Sequence, residues 1–472
     1  MIRVTTVSRP AMTGLGLALL VLGAALHGID PDLYLGLMRH WVPEAVLPPF
    51  IDTIFIIGQM DCWHRGVDVY AANPCDMFTR PMVYPPLWLR LWFLPDRLAA
   101  AVPFGLTIGL SFILSLMILP RSHRWRDLAL MLAAIASSAV VYGFERGNVD
   151  LLIFAAAALI VLSIGRSFPV RLSGYAAILL LGLLKLYPLA LAPLIARERR
   201  PVAFTIAAAM AAVLGLSVWL WHDQWLAMAR NLPGPDYSTD GPGGRKLAEG
   251  MFIALERVVS WLSPAAHLDD LAPRRVWIAL LFPLLSLTAL FTALRLARGP
   301  RLPAAVAALP PRETACLAVG ALLFCGFFMA GTSIAYREVF LLFVIPALLT
   351  FSRDPTLSTA IRWTPFPLVL LMWASYPALW FDITFGKLDA TGGLLPTFAF
   401  WAVRELIWWW CFTVLMATLF CRASLAGLID LQTQPQRGGG GGGGIGSATP
   451  EAAGRLTVGP ASTIQPRSLS RI

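Results

Sequence analysis

The sequence predicts an all-α protein that crosses a membrane about twelve times, and three observations support this fold class. The chain is 57% hydrophobic and only 14% charged, a balance that a soluble domain of this length does not show. Apolar runs recur along it at nearly the length of roughly 17–25 residues that a helix needs to cross a bilayer. Because backbone in contact with lipid must satisfy its own hydrogen bonds, these runs are predicted as helices.

Ten apolar runs are predicted as membrane spans, and an eleventh is interrupted. The ten lie at residues 11–27, 101–120, 127–143, 150–165, 201–221, 275–294, 314–330, 338–351, 364–381 and 397–421. The interrupted run, 172–196, contains Lys185 and Pro188, so we expect it to go out and back as two short half-helices. The first run follows Arg3 and Arg9, as in a signal peptide. Since no small-residue cleavage site follows it, we expect a retained anchor.

The arginines predict the orientation of these spans. They cluster in short loops, a pattern typical of the cytoplasmic side, so the net charge of +10 indicates membrane topology rather than nucleic-acid binding. The clusters are Arg121, Arg124 and Arg126; Arg166 and Arg171; Arg197, Arg199 and Arg200; Arg295, Arg298 and Arg301; and Arg353 and Arg362. We therefore expect a cytoplasmic (inner) membrane protein with segments 28–100, 144–150, 222–273, 331–337 and 382–394 on the outer, periplasmic side.

The chain is predicted to divide into a membrane domain and a tail. Residues 1–424 are predicted as one membrane domain, within which 28–100 is a folded first outer loop and 222–273 a second outer loop. Residues 425–472 include an uninterrupted glycine run and are predicted as a disordered cytoplasmic tail.

The cysteines divide into two groups. Cys62 and Cys75 share the first outer loop, where an oxidising compartment allows a disulfide but the spacing alone does not decide between a bridge and free thiols. The other four lie in or beside apolar helices and are predicted as packing residues.

An ionisable side chain in an apolar run is a candidate functional group, because burying charge is costly. Asp52 is such an acid, and partial burial would suit it to act as a general base. The alternative is an interfacial acid in the first turn of a helix, where the helix dipole favours it.

Three further polar clusters interrupt apolar sequence. One runs from Glu145 to Asp150 and includes Arg146 and Asn148; its alternative is an ordinary polar loop. Lys185, one of only three lysines, stands two residues before Tyr187 and could pair with a phosphate or with Asp150.

The third cluster is Tyr336-Arg337-Glu338. Arginine presents a planar fork of donors that suits phosphate, and the alternative is a local Arg337–Glu338 pair. Four residues of the first outer loop are predicted as scaffold: Asp68, Tyr70, Tyr84 and Pro85.

Taken in order, these motifs resemble a bacterial family of GT-C glycosyltransferases that includes polyprenyl-phosphate-mannose-dependent mannosyltransferases. They are Asp52, Gly66-Val-Asp-Val-Tyr70, Tyr84-Pro-Pro-Leu87, Arg146-Gly-Asn-Val-Asp-Leu-Leu152, Leu184-Lys-Leu-Tyr-Pro188 and Tyr336-Arg337. The resemblance implies an inverting, metal-independent transfer with Asp52 as base. It implies a polyprenyl-phosphate sugar as donor and a glycolipid or glycan as acceptor. We expect the donor phosphate or substrate to be bound by Arg146, Asn148, Asp150, Lys185, Tyr187, Tyr336 and Arg337.

The chemistry is compatible with that assignment. A glycosyl phosphate already carries a leaving group, so one carboxylate and a few cations suffice and no cofactor is expected. No glycine-rich phosphate loop, zinc-ligand spacing or nucleophile elbow occurs in the sequence. Two rival functions stay open: a transporter or flippase of lipid-linked or anionic substrate, and an envelope polysaccharide polymerase or ligase.

Overall fold

The structure is a computed structural model of the 472-residue chain. It describes residues 4–91, 94, 98–232, 241–263, 273–330, 333–386 and 395–432, with side chains of the last helix described as far as residue 421. Within these ranges the regular elements are all helices and no strand is present. The predicted all-α class is therefore confirmed.

Nineteen α-helices are described in these ranges. The first ten are α1 (Val4–Ile29), α2 (Pro31–Trp41), α3 (Ile51–His64), α4 (Ala101–Ser115), α5 (Trp125–Ile135), α6 (Ser138–Arg146), α7 (Val149–Ser163), α8 (Phe168–Leu184), α9 (Arg200–Leu220) and α10 (His222–Asn231). The others are α11 (Gly244–Leu262), α12 (Arg274–Arg298), α13 (Arg301–Ala307), α14 (Pro311–Ala330), α15 (Leu341–Ser352), α16 (Thr359–Trp363), α17 (Pro365–Leu371), α18 (Ser375–Phe385) and α19 (Leu395–Gln432). Five 3₁₀ helices join them: Pro86–Arg90, Leu98–Ala100, Leu116–Ile118, Tyr187–Arg197 and Ala335–Phe340.

Several of these helices are long and apolar enough to cross a membrane. Among the described residues seven qualify by length and composition, and two bent helix pairs raise the number to nine. The shorter apolar helices α7 and α8 are also present. The protein is thus polytopic, as predicted, although the count of twelve spans is not confirmed. Most of the predicted tail, residues 433–472, lies outside the described residues.

Two runs that hydropathy predicts as single spans are each divided by a bend. Helices α5 and α6 meet at 40°, and α17 and α18 meet at 60°. A bend frees backbone groups that must be satisfied within the protein. Here the Ala139 N–H donates to the Met372 carbonyl over 3.1 Å, and the Trp373 indole N–H donates to the Ala133 carbonyl over 2.9 Å. The two bends are therefore joined by hydrogen bonds to each other, and local hydropathy does not reveal this long-range pairing.

The chain turns back between α8 and the 3₁₀ helix Tyr187–Arg197. Helix α8 ends at Leu184, Lys185 is extended with φ −156°, and the 3₁₀ helix then packs against α8. The second half-helix is 3₁₀ rather than α, and Pro193 in its interior cannot donate a backbone hydrogen bond. The Trp88 indole N–H caps the end of α8 by donating to the Leu184 carbonyl over 2.8 Å.

The first connecting segment, residues 30–100, is folded in its described part, 30–91, 94 and 98–100. Asp30 caps α2 by accepting from the backbone N–H groups of Asp32 and Leu33, both over 3.0 Å. Helix α3 follows within this segment, from Ile51 to His64. The sulfur atoms of Cys62 and Cys75 lie 2.01 Å apart in a disulfide that joins the end of α3 to the following loop.

The core that supports the site is packed from α4, α7, α14 and α15. Phe154 on α7 lies 4.9 Å from the ring centre of Phe112 and 4.2 Å from that of Phe343. All three rings are fully buried. Removing one buried ring typically costs about 3–5 kcal/mol, so this stack holds the N-terminus of α7 in a fixed position.

Candidate active site

Asp52 lies in the first turn of α3, and a close contact fixes that turn. The Phe50 N–H donates to the Glu145 carbonyl at the end of α6 over 2.6 Å. The Phe50 ring occupies space left by two glycines: a Cβ added to Gly105 would lie 2.7 Å from the ring, and one added to Gly147 would lie 3.0 Å from it. The start of α3 is therefore held against the junction of α6 and α7.

Asn148 connects Asp52 to the start of α7. Its Nδ2 donates to Asp52 Oδ2 over 2.5 Å, and its Oδ1 accepts from the Asp150 N–H over 2.8 Å, capping the helix. Gly147, with φ +58°, makes the left-handed turn that lets α6 end at Arg146 and α7 begin at Val149. Asp52 is only partly buried, so one side remains open to a substrate.

Asp150 is fully buried and is surrounded by donors. The Lys185 Nζ donates to its Oδ1 over 2.5 Å, and the Tyr187 hydroxyl donates to the same oxygen over 2.8 Å. The Arg337 Nε lies 3.6 Å from its Oδ2. One carboxylate thus faces two cations, and the cluster retains a positive charge that a bound anion would compensate.

Three tyrosines enclose the Lys185 ammonium group. Its Nζ lies 5.6–5.7 Å from the ring centres of Tyr84, Tyr187 and Tyr336. Aromatic faces stabilise a cation at this distance. Burial raises the pKa of the Tyr84 phenol well above its usual range, and Tyr336 and Asp52 raise it further. The Tyr84 hydroxyl is therefore a neutral hydrogen-bond donor.

Arg337 is the most accessible cation of this cluster. Its side chain is 21% exposed, compared with 9% for Lys185 and 1% for Asp150. Among the described residues its Nε makes no hydrogen bond. An arginine side chain with an unpaired donor is suited to a phosphate.

Arg146 is held by a pair of residues that sequence reasoning missed. Its Nη2 donates to the Tyr142 hydroxyl over 3.1 Å, and that hydroxyl donates to Glu44. The charges of Arg146 and Asp52 are close enough to attract each other. Glu44 is one of several acids in the first connecting segment, and no local pattern distinguishes it.

The residues predicted as scaffold lie beside the site. Asp68 Oδ1 accepts from the Tyr70 N–H over 3.0 Å in a local turn, and the Tyr70 hydroxyl donates to the Tyr84 carbonyl over 3.0 Å. Pro85 precedes the 3₁₀ helix Pro86–Arg90. The Asp68 carboxylate thus holds its own loop, whereas the Asp52 carboxylate contacts Asn148.

The structure brings together side chains from distant parts of the chain. They come from α3, α7, the break after α8 and the 3₁₀ helix Ala335–Phe340. Within the described ranges, no group of three or more His, Cys, Asp or Glu side chains is arranged to hold a metal ion. The fold and this site define a multi-span membrane protein that gathers one accessible acid and several cations at the ends of its helices.

Residues 82–310 match the family model described as glycosyltransferase family 87. This match confirms the resemblance to a glycosyltransferase family, and that family implies membrane glycosyltransferase activity. The matched region contains Tyr84, Arg146 to Asp150 and Lys185 to Tyr187, and the positions of Asp52 and Arg337 lie outside it. No curated protein and no solved structure matches the chain.

Proposed function

We propose that the protein transfers a sugar, with mannose favoured, from a polyprenyl-phosphate donor to a glycan or glycolipid acceptor on the outer face of the cytoplasmic membrane. The observation that carries this proposal is the Asn148 contact. Asn148 holds the partly buried Asp52 on one side and caps the helix that carries Asp150 and its cations on the other. A base and an anion-binding cluster therefore lie on either side of one residue.

The chemistry follows from this arrangement. Asp52 accepts the proton of the acceptor hydroxyl as its oxygen bonds to the anomeric carbon. The bond from that carbon to the phosphate oxygen breaks, and its electron pair leaves with the polyprenyl phosphate. Attack opposite the leaving group inverts the anomeric configuration. Arg337, whose Nε makes no hydrogen bond among the described residues, stabilises the charge that develops on the phosphate.

Transfer is tested with the purified protein in lipid nanodiscs. The donors are radiolabelled polyprenyl-phosphate mannose, arabinose, glucose and galactose, and the acceptor is the envelope extract of a strain that lacks this protein. We expect one donor to be consumed and its sugar to appear in a glycosidic bond identified by mass spectrometry. Movement of the donor across a vesicle membrane without its consumption would instead indicate a flippase, and consumption of none of the four would count against the proposal.

Arg337→Ala is expected to raise the donor KM by about tenfold to a hundredfold, because a charge-assisted hydrogen bond contributes roughly 1.5–3 kcal/mol. Arg337→Lys should recover only part of the loss, since an ammonium group lacks the planar fork. Initial rates at varied donor concentration measure both effects. The matched control is Arg126→Ala at an exposed site on α5. An unchanged donor KM in Arg337→Ala would show that Arg337 has a structural role.

The proposed orientation is tested by cysteine labelling in intact cells. His123 and His222 are both exposed, and they lie in segments predicted as cytoplasmic and outer, respectively. We expect a membrane-impermeant maleimide to label His222→Cys in intact cells but His123→Cys only after lysis. Native background should be low, because four cysteines are buried and two form the disulfide. Labelling of His123→Cys in intact cells would reverse the orientation.

A further inference from the structure

A cavity of about 350 Å³ opens between the first connecting segment and α10, away from the Asp52 site. Its walls include Trp63, Asp68 and Tyr70 on one side and Asp223 and Gln224 on the other. The volume lies within the range of small-molecule sites in proteins. None of the residues assigned above to the base or to the cation cluster lines it.

The side chains of this cavity suit a neutral, hydroxyl-rich ligand. The Trp63 indole offers a flat apolar face, and the carboxylates of Asp68 and Asp223 accept hydrogen bonds from hydroxyl groups. Among the described residues that line it, no lysine or arginine is present. The Asp68 and Asp223 carboxylates disfavour a phosphate at these walls, so the cavity fits sugar hydroxyls rather than the donor's anionic head.

Two of the wall residues are held in place by Arg90. Its Nη2 donates to Gln224 Oε1 over 2.7 Å, which leaves the Gln224 Nε2 group as the donor toward a ligand. Its guanidinium lies 5.9 Å from the ring centre of Trp63 and 4.3 Å from that of Trp221. The indole and the amide are thus positioned before a ligand binds.

Helix α3 connects this cavity to the proposed base. Asp52 and Trp63 are eleven residues apart on α3, close to three full turns, so they lie on the same face about 16 Å apart along the axis. That distance is longer than one sugar ring. A ligand with its reacting hydroxyl at Asp52 therefore reaches the cavity only if it contains several sugars.

Gln59 lies on the same face of α3, between these two residues. It is fully buried, and within the described part of the chain neither its amide nitrogen nor its amide oxygen makes a hydrogen bond. A buried polar group without a partner costs about 1–3 kcal/mol and calls for an explanation. An oligosaccharide that runs from the cavity toward Asp52 and displaces the side chains that cover Gln59 would supply hydroxyl partners for this amide.

We infer that the cavity at Trp63 is a subsite for a neutral oligosaccharide acceptor and binds a sugar several residues away from the hydroxyl that Asp52 deprotonates. Gln59 belongs to the path between the two. This inference rests on the proposed glycosyltransferase function. It adds that the acceptor is a glycan chain rather than a single sugar.

The test compares Trp63→Ala, Gln59→Leu and the control Trp219→Ala, whose indole is 76% exposed on α9. Transfer from the active polyprenyl-phosphate sugar is measured against increasing concentrations of the envelope extract. We expect both test variants to raise the extract concentration for half-maximal rate by about tenfold, the effect of losing one aromatic or polar contact. The donor KM should stay at the wild-type value, as it should in Trp219→Ala.

Three outcomes separate the possibilities. If Gln59 were only a structural residue, Gln59→Leu would remove an unpaired buried amide and leave the acceptor dependence unchanged. An unchanged extract concentration for half-maximal rate in both Trp63→Ala and Gln59→Leu therefore overturns the subsite. A rise in donor KM instead of acceptor KM also overturns it, because the cavity would then serve the donor. If the wild-type protein transfers no sugar from any of the four donors, the proposed function fails and the subsite fails with it.

Discussion

Asp52→Asn is expected to lower turnover by about a hundredfold to ten-thousandfold, the contribution typical of a general base. Asparagine keeps the size of the side chain, and its amide oxygen can still accept from Asn148 Nδ2, so the contact between α3 and α7 is preserved. Only the ability to take a proton is removed. The donor KM should therefore change little. Steady-state transfer rates at saturating acceptor, with donor concentration varied, separate the two quantities.

Two acids of the same segment serve as controls. Asp61 pairs with Arg65 over 2.5 Å, and its side chain is 41% exposed. Asp68 accepts from the Tyr70 N–H in its own turn. At saturating acceptor we expect Asp61→Asn and Asp68→Asn to retain most of the wild-type turnover, because Asp68 lines the acceptor cavity and affects only the acceptor concentration that is needed. If one of them is inactive while Asp52→Asn is active, the mechanism survives with another base, and if all three are active the proposed chemistry loses its main support.

The sequence predicts the contributing motifs of this site better than it predicts their contacts. Asp52, Asp150, Lys185 and Arg337 each interrupt apolar sequence, and burying charge is costly enough to mark such residues from the sequence alone. The Asn148 cap is also readable, because asparagine is favoured immediately before a helix. The sequence does not predict that the Asn148 amide nitrogen contacts Asp52 over 2.5 Å, since the two residues are 96 positions apart.

Other features depend on tertiary contacts with no local signal. Glu44 meets Tyr142 across 98 residues of chain, and both belong to ordinary-looking local sequence. The bend between α5 and α6 is stabilised by the Met372 carbonyl, which only the folded chain brings close. The cavity at Trp63 forms where the first connecting segment meets α10. Such pairings require the three-dimensional arrangement, whereas helix positions follow from apolar runs.

The remaining large effect concerns Lys185, for which the sequence left two partners open, a phosphate or Asp150. The structure places its Nζ 2.5 Å from Asp150 Oδ1 in a buried pair. Breaking a buried pair by removing one member typically costs about 3–5 kcal/mol, because the other charge stays buried without compensation. Lys185→Met is therefore expected to lower the thermal unfolding midpoint of the detergent-solubilised protein markedly.

A double variant decides between the two roles of Lys185. In Lys185→Met/Asp150→Asn both charges are absent, so we expect most of the lost stability to return, although Arg337 then loses the Asp150 charge 3.6 Å away. Arg337→Ala, which removes a more exposed side chain, should unfold close to the wild-type temperature. Measurement of the unfolding midpoint for all four variants, Asp150→Asn included, completes the cycle. A Lys185→Met protein with wild-type stability and a raised donor KM would instead assign Lys185 to the phosphate. The unfolding experiment contains no donor, so unchanged stability would mean that the Lys185 charge matters only when the donor is bound.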